Sequence, residues 1–299
     1  MLLIDLLKLC TKYLAMLLLV ISLNYILARG STSVYTLMSM LEERSPGLAE
    51  ALARYYGLNT DPFSALPNYL LSVVRGDLGL SIFYAAPVSL VVAEALSRSL
   101  SLLIPATAIT IPLSIIILTS IIRSLGTRLD RMVDTFFIVL MAVPEAVLAI
   151  LFSIYLPPSF FSALFLLVLH EITFIYVFTR RNTVSILSDA YEMIEYYLAM
   201  GYRGRVVVSR ELLRLSIPLI ASSLAYSIAT ATPVLVFIET VFNYPGLGYM
   251  MFLSLIRSDY PLASGCFLVL SSIAIGANMV SDYINGRLDW RLKLLGAQR

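Results

Sequence analysis

Long uncharged runs alternate with short charged ones along this chain. Sixteen uncharged residues separate Lys12 from Arg29, 24 separate Arg98 from Arg123, another 24 separate Arg214 from Glu239, and 22 separate Asp259 from Asp282. A helix needs about 20 mainly apolar residues to cross about 30 Å of hydrocarbon, so each run predicts a membrane span. Residues 146–169 form a further uncharged run with Pro157 and Pro158 at its centre, where a continuous helix would lose backbone donors. Either this is one helix between Glu145 and His170, or it is a tight hairpin joining helices over about 132–156 and 159–180. The hairpin places Glu145, His170 and Glu171 inside the membrane.

Charge separates the two readings. With six spans and the amino terminus inside, 15 of the 21 basic residues fall on inner segments, including all six arginines from Arg180 to Arg214. Five spans would move that segment outside, against the inward bias of Lys and Arg. Six spans are therefore predicted, with both termini cytoplasmic. The first run resembles a signal peptide, but no A-x-A-like site follows it, and it reads as an uncleaved first span.

Composition narrows the class further. Hydrophobic residues make up 59% and charged residues 13%, against about 25% charged in an ordinary globular chain. The net charge of +2 implies no polyanionic partner, and Cys10 and Cys266 both lie in apolar runs, where a thiol acts as a small hydrophobe. One histidine and two cysteines argue against a structural zinc site. The expected fold is all-α and polytopic, with six transmembrane helices.

Two connections are too long to be simple turns. Residues 30–97 carry nine charged residues and read as an extracytoplasmic subdomain, ending in an amphipathic helix over 87–96 that would lie on the outer membrane surface. The chain then divides into a first span (1–29), that subdomain (30–97) and a five-helix core (98–299). Within the core, residues 181–215 form a cytoplasmic loop between the fourth and fifth spans. It reads as helix–Gly201–helix, with Arg205, Arg210 and Arg214 interleaved among valines and leucines. That pattern suits either a membrane-surface helix pair facing anionic lipid or a docking element for a cytoplasmic protein.

Ordered motifs then carry a resemblance. Glu195-x5-Gly201 has the spacing of the "EAA" loop in permease subunits of prokaryotic ABC importers. Gly201, Arg210, Arg214 and Pro218 fall where dipeptide/oligopeptide/nickel-type permeases have Gly, Arg, Arg and Pro. The segment from Glu239 to Gly248 (ETVFNYPGLG) resembles that family's E-x-V-F-x-x-P-G-L-G. Arg75 to Ser81 (RGDLGLS) resembles its R-G-D-L-G-x-S, and Leu129-Asp130-Arg131, Asp259-Tyr260-Pro261 and Asp289-Trp290-Arg291 also fit in order. The pattern covers the chain from about residue 69 and looks most like the first of two paralogous permeases. Departures are Tyr196 and Tyr197 in place of small residues, Trp290 in place of proline, a short hairpin after the third span, and a poor match over 31–59.

The resemblance implies a membrane-spanning permease subunit in a prokaryotic inner or plasma membrane, importing a peptide-class solute by alternating access. It implies a second permease, two cytoplasmic ATPases that carry the ATP and Mg, and an extracytoplasmic solute-binding protein, with no cofactor and no catalysis in this chain. No Gly-x4-Gly-Lys-Ser/Thr phosphate loop occurs here. The coupling loop would use Glu195, Ala199, Gly201, Arg205, Arg210 and Arg214. Glu239, Asn243, Pro245, Gly246 and Gly248 would form an outer gate or binding-protein dock, or else a rigid corner packing the fifth span on the sixth. Glu145, His170 and Glu171 would face the pore or the partner permease, because ionisable groups inside spans are rarely idle. His170 and Glu171 point about 100° apart on a helix and cannot form one ligand face. The same architecture serves oligosaccharides and nickel chelates. A secondary transporter using Glu145, or a membrane enzyme using His170 and Glu171, fits less well for want of an internal repeat or a nucleophile–base constellation.

Overall fold

The computed structural model describes residues 2–30, 39, 42–43, 45–189, 195, 199–201 and 204–288. Among them ten helices stand out: α1 (Leu2–Gly30), α2 (Pro46–Tyr56), α3 (Pro62–Val74), α4 (Val88–Ser124), α5 (Arg128–Ala142), α6 (Glu145–Ser153), α7 (Phe160–Asp189), α8 (Gly204–Val241), α9 (Leu247–Ile256) and α10 (Tyr260–Leu288). The described residues hold no β-sheet, only an isolated antiparallel bridge between Leu80 and Pro87.

Five helices (α1, α4, α7, α8 and α10) are long and apolar enough to cross a membrane, and α5 with α6 meets the same test as a pair. The pair is bent by 93°. The third span is therefore not the continuous helix expected over 132–156. Pro144 disfavours the helical conformation for Val143 and removes a backbone donor, so α5 ends at Ala142 and a new helix starts at Glu145. The hairpin at Pro157–Pro158 is present, with α7 beginning at Phe160.

A second correction concerns residues 87–96. They do not form a separate surface helix but open the 37-residue α4, which runs unbroken across the expected 97/98 boundary. No glycine or proline occurs between Val88 and Ile104 to stop it. At 1.5 Å per residue α4 is about 55 Å long, so it outruns the hydrocarbon.

The main core lies where α4, α7, α8 and α10 meet. Leu102, Ala106, Leu167, Ala231, Leu235 and Cys266 are fully or almost fully buried there. Small residues let the backbones approach: a Cβ on Gly265 of α10 would stand 2.5 Å from Cγ1 of Val88 on α4. The first helix is peripheral. It runs antiparallel to α10, with Lys12 Nζ 2.8 Å from Asp282 Oδ2 near one end and the Tyr13 hydroxyl donating to the same oxygen. The beginning of α1 and the end of α10 thus share a side.

At the opposite end of α1, helices α2 and α3 form a small core of their own. Tyr25, Tyr56 and Tyr69 are fully buried against Leu52 and Leu268, with Tyr25 and Tyr69 ring centroids 4.9 Å apart. Arg29 is buried beneath them and donates to Tyr25 Oη at 2.8 Å and to the carbonyls of Tyr56, Gly57 and Thr60. Gly57 ends α2 in the left-handed region at φ +60, which presents its carbonyl to the guanidinium. Asp61 then caps α3, accepting from the amides of Phe63 and Ser64.

Burial pushes the phenols of Tyr56 and Tyr69 above their ordinary value of 10.0. An acid held neutral by folding contributes stability in full below its unfolded pKa and loses it as pH rises toward the folded one. The docking of α2 and α3 should therefore weaken above pH 10, by about 1.4 kcal/mol per pH unit for each phenol. Alkaline denaturation of the Tyr56→Phe, Tyr69→Phe variant in detergent checks this, because it should show a shallower fall than the wild type.

Candidate functional site

The predicted site residues fall into three places along the bundle. The first is the corner between α8 and α9. Glu239, in the last turn of α8, is fully buried. Its carboxylate accepts from Ser99 Oγ at 2.6 Å and from the Gly248 and Tyr249 amides at 2.7 and 3.2 Å. Those amides are the free N–H groups of the first turn of α9, where a negative charge is favoured. Ser99 Oγ in turn accepts from the Leu247 amide at 2.7 Å. A Cβ on Gly246 would collide with Glu239, and one on Gly248 would stand 2.5 Å from the Val236 Cα. Asn243, at φ +52, turns the chain and is exposed, and Pro245 follows. Of the two readings of this segment, the geometry is that of a rigid corner. Both carboxylate oxygens of Glu239 are engaged, and only Asn243 and its neighbours face outward.

A second corner beside it was not assigned from sequence. Asp259 caps α10 through the Leu262 amide at 3.3 Å and accepts from Ser81 Oγ at 2.5 Å and the Phe83 amide at 3.0 Å. Ser81 ends the RGDLGLS motif, and Asp259 opens Asp-Tyr-Pro. Two motifs 178 positions apart thus close one joint. Asp followed by Pro two residues on signals a helix start. Its partner could not be read from local pattern.

The opposite end of α7 and α8 carries the expected coupling loop. Glu195 and Ala199 are helical and exposed, and Gly201 turns the chain at φ +84 with open space around it. An L side chain rarely adopts that conformation, which accounts for glycine here. The segment after Gly201 is not a separate short helix. With no glycine and no proline between Gly204 and Pro218, it continues into the 38-residue α8, about 57 Å long at 1.5 Å per residue. Arg205, Arg210 and Arg214 lie on its first three turns, and their side chains are outside the described residues. One helix therefore runs from Gly204, three residues past the Gly201 turn, to the Glu239 corner.

Close to this end Arg180 of α7 grips α5. Its guanidinium lies 2.9 Å from Asp130 Oδ1 and 2.7 Å from Asp134 Oδ1, and Asp130 also accepts from the Gly126 amide at 2.9 Å. Asp130 is buried and Arg180 nearly so. Counted from sequence only as an inner positive charge, Arg180 is a clamp between two helices.

The third place is the middle of the bundle. The kink at Pro144 swings Glu145 toward α7, where its Oε1 lies 3.0 Å from His170 Nδ1, and His170 Nε2 lies 3.4 Å from Thr230 Oγ1 of α8. Glu171 points the other way, as its helical offset predicts. It is fully buried against α4, accepting from Thr110 Oγ1 at 2.7 Å and Thr107 Oγ1 at 3.2 Å. Glu145 and His170 line a cavity together with Met141, Thr173, Phe174 and Ile238, whereas Glu171 does not. Among the described residues no three His, Cys, Asp or Glu side chains gather to hold a metal ion.

Residues 110–294 match the sequence model of one family, the binding-protein-dependent transport system inner membrane component. The chain is 24% identical over 263 residues to the metal-staphylopine import system permease protein CntB of Staphylococcus aureus (strain Mu50), covering 83% of this chain and 84% of that one. It is 26% identical over 271 residues to a Brucella abortus (strain 2308) protein named "Putative peptide transport system permease protein", covering 83% and 86%. A shorter match, 28% identical over 117 residues, reaches a Brucella ovis protein named as a peptide permease and covers 39% and 36%.

Proposed function

Because the chain belongs to the binding-protein-dependent transport system inner membrane components, we propose that it is the half-pathway subunit of an importer whose two ends do different work. The end holding the Gly201 turn faces the cytoplasm and rests on ATPase subunits, which carry the ATP and Mg. The end holding the Glu239 and Asp259 corners faces outward, toward a solute-binding protein. Both chain termini then lie inside, in keeping with the excess of arginine on that side. A second, paralogous permease completes the pathway.

The observation that carries this reading is the continuity of α8 from Gly204, three residues past the coupling turn, to the outer corner. A helix that stays continuous through Pro218 and Pro233 and is closed by buried hydrogen bonds at its far end carries motion along its length, so ATPase closure at Gly201 shifts the outer joint. Arg180 links that motion to the kinked α5–α6 pair through Asp130 and Asp134. A peptide-class solute is the cargo favoured by likeness to proteins named for peptide transport. A metal chelate is the second reading, since the Staphylococcus relative is named for metal-staphylopine import.

Affinity purification of the tagged chain from its own membranes tests the assignment. Two ATPase subunits and one further permease should co-elute. A chain that elutes alone and transports or catalyses by itself would refute it.

A further inference from the structure

The cavity at the α5–α6 kink contains a carboxylate that the fold leaves half-compensated. Glu145 is 39% exposed, and among the described residues its only side-chain partner is His170. Arg180, the basic residue further along α7, is held by Asp130 and Asp134. A carboxylate within the bilayer is costly without a counter-charge and normally faces a partner or a water-filled passage. Here it is recessed rather than set on a flat apolar face, because the 93° bend opens the space it occupies.

What stands beside it is aromatic. Phe174 lines the same cavity one helical turn inward from His170, 5.2 Å from Tyr226 of α8 between ring centroids. Phe178 follows one further turn inward, 6.0 Å from Phe174 and 6.2 Å from Tyr226. The register is regular: His170 meets Thr230, and four residues on in α7 Phe174 meets Tyr226, four residues back in α8. All three residues are partly exposed and stack on one another, forming one aromatic strip along the α7–α8 pair.

A carboxylate that shares a recess with an aromatic ring, among Leu, Met, Val, Ile and Thr side chains, has the chemistry that holds an organic ammonium group. We propose that Glu145, oriented by His170 and backed by Phe174, is a transit site for the ammonium group of the solute, with Phe178 and Tyr226 as the next faces inward. This rests on the importer reading above and sharpens it to solutes that carry a protonated amine, such as a peptide amino terminus.

Charge-selective thiol modification tests the site without knowledge of the cargo. Met141 lines the cavity. In the assembled complex, with Cys10→Ser and Cys266→Ala, a Met141→Cys thiol should react faster with trimethylammonium-ethyl methanethiosulfonate than with the sulfonate-ethyl reagent. After normalisation to the ratio for free 2-mercaptoethanol, the preference should be about tenfold, as expected for one carboxylate a few ångströms away in a partly desolvated site. Glu145→Gln should abolish that preference. Trialanine at millimolar concentration should slow the cationic reagent, and N-acetyltrialanine should not.

An unreactive thiol, a preference that survives Glu145→Gln, or equal protection by the two peptides would each overturn the proposal. So would reactivity seen in the isolated chain and lost in the complex, which would mean that the second permease covers the cavity. None of these results bears on whether ATPases co-purify, so the importer reading stands or falls separately.

Discussion

Arg180→Met should destabilise the chain by about 3–5 kcal/mol, because it leaves Asp130 and Asp134 facing each other without a counter-charge in a site where Asp130 is buried. The methionine fills much of the same volume, so lost packing contributes little. The discriminating variant is the triple one. Arg180→Met with Asp130→Asn and Asp134→Asn should recover most of the loss, since it removes the uncompensated charges along with the cation. Denaturant midpoints in detergent measure both. If the single variant melts like the wild type, the clamp contributes nothing to holding α5 against α7. In the assembled transporter the triple variant should be stable yet couple ATP hydrolysis to uptake less well, since α5 would no longer be tied to α7 near the loop.

Glu239→Ala carries the second large effect. It strands the amides of Gly248 and Tyr249 and the Ser99 hydroxyl in a buried corner, and each orphaned group costs about 1–3 kcal/mol. A total of about 3 kcal/mol or more follows, read as a lower denaturation midpoint together with faster proteolysis of the turn at 243–246. Glu239→Gln should recover part of it, because one oxygen still accepts while the new amide meets donors. An outer gate that merely contacts solute would respond differently, losing transport with no loss of stability.

These two joints also mark what the sequence could and could not disclose. The uncharged runs located the membrane helices through a local signal, whereas the double proline at 157–158 marked the hairpin only after the charge asymmetry had chosen six spans. Pro144 was equally visible, yet its consequence depends on tertiary packing. Many proline-containing helices continue, as α4 does through Pro105 and Pro112. Helix α4 extends back to Val88 for the opposite reason: no breaker stands where a loop boundary was expected. The divergence of His170 and Glu171 followed from helical geometry alone, but their partners Glu145, Thr230 and Thr110 come from three other helices.

The motifs behaved similarly. Their residues were conspicuous while their roles were not, since a pair such as Ser81 and Asp259 is joined only after the chain has folded back on itself. Glu239 in particular reads from sequence as part of an outer gate, a dock or a rigid corner, and it is a buried carboxyl group bound by the first amides of α9.

The central claim is that the Gly201 turn meets the ATPases and that α8, which follows it from Gly204, carries their motion to the Glu239 corner. The most direct measurement is co-purification with the turn altered. With residues 195–201 replaced by a Gly-Ser segment of equal length, the tagged chain should still bring down the second permease but release both ATPases, while its denaturation midpoint stays at the wild-type value. Retention of the ATPases by that variant would contradict the account.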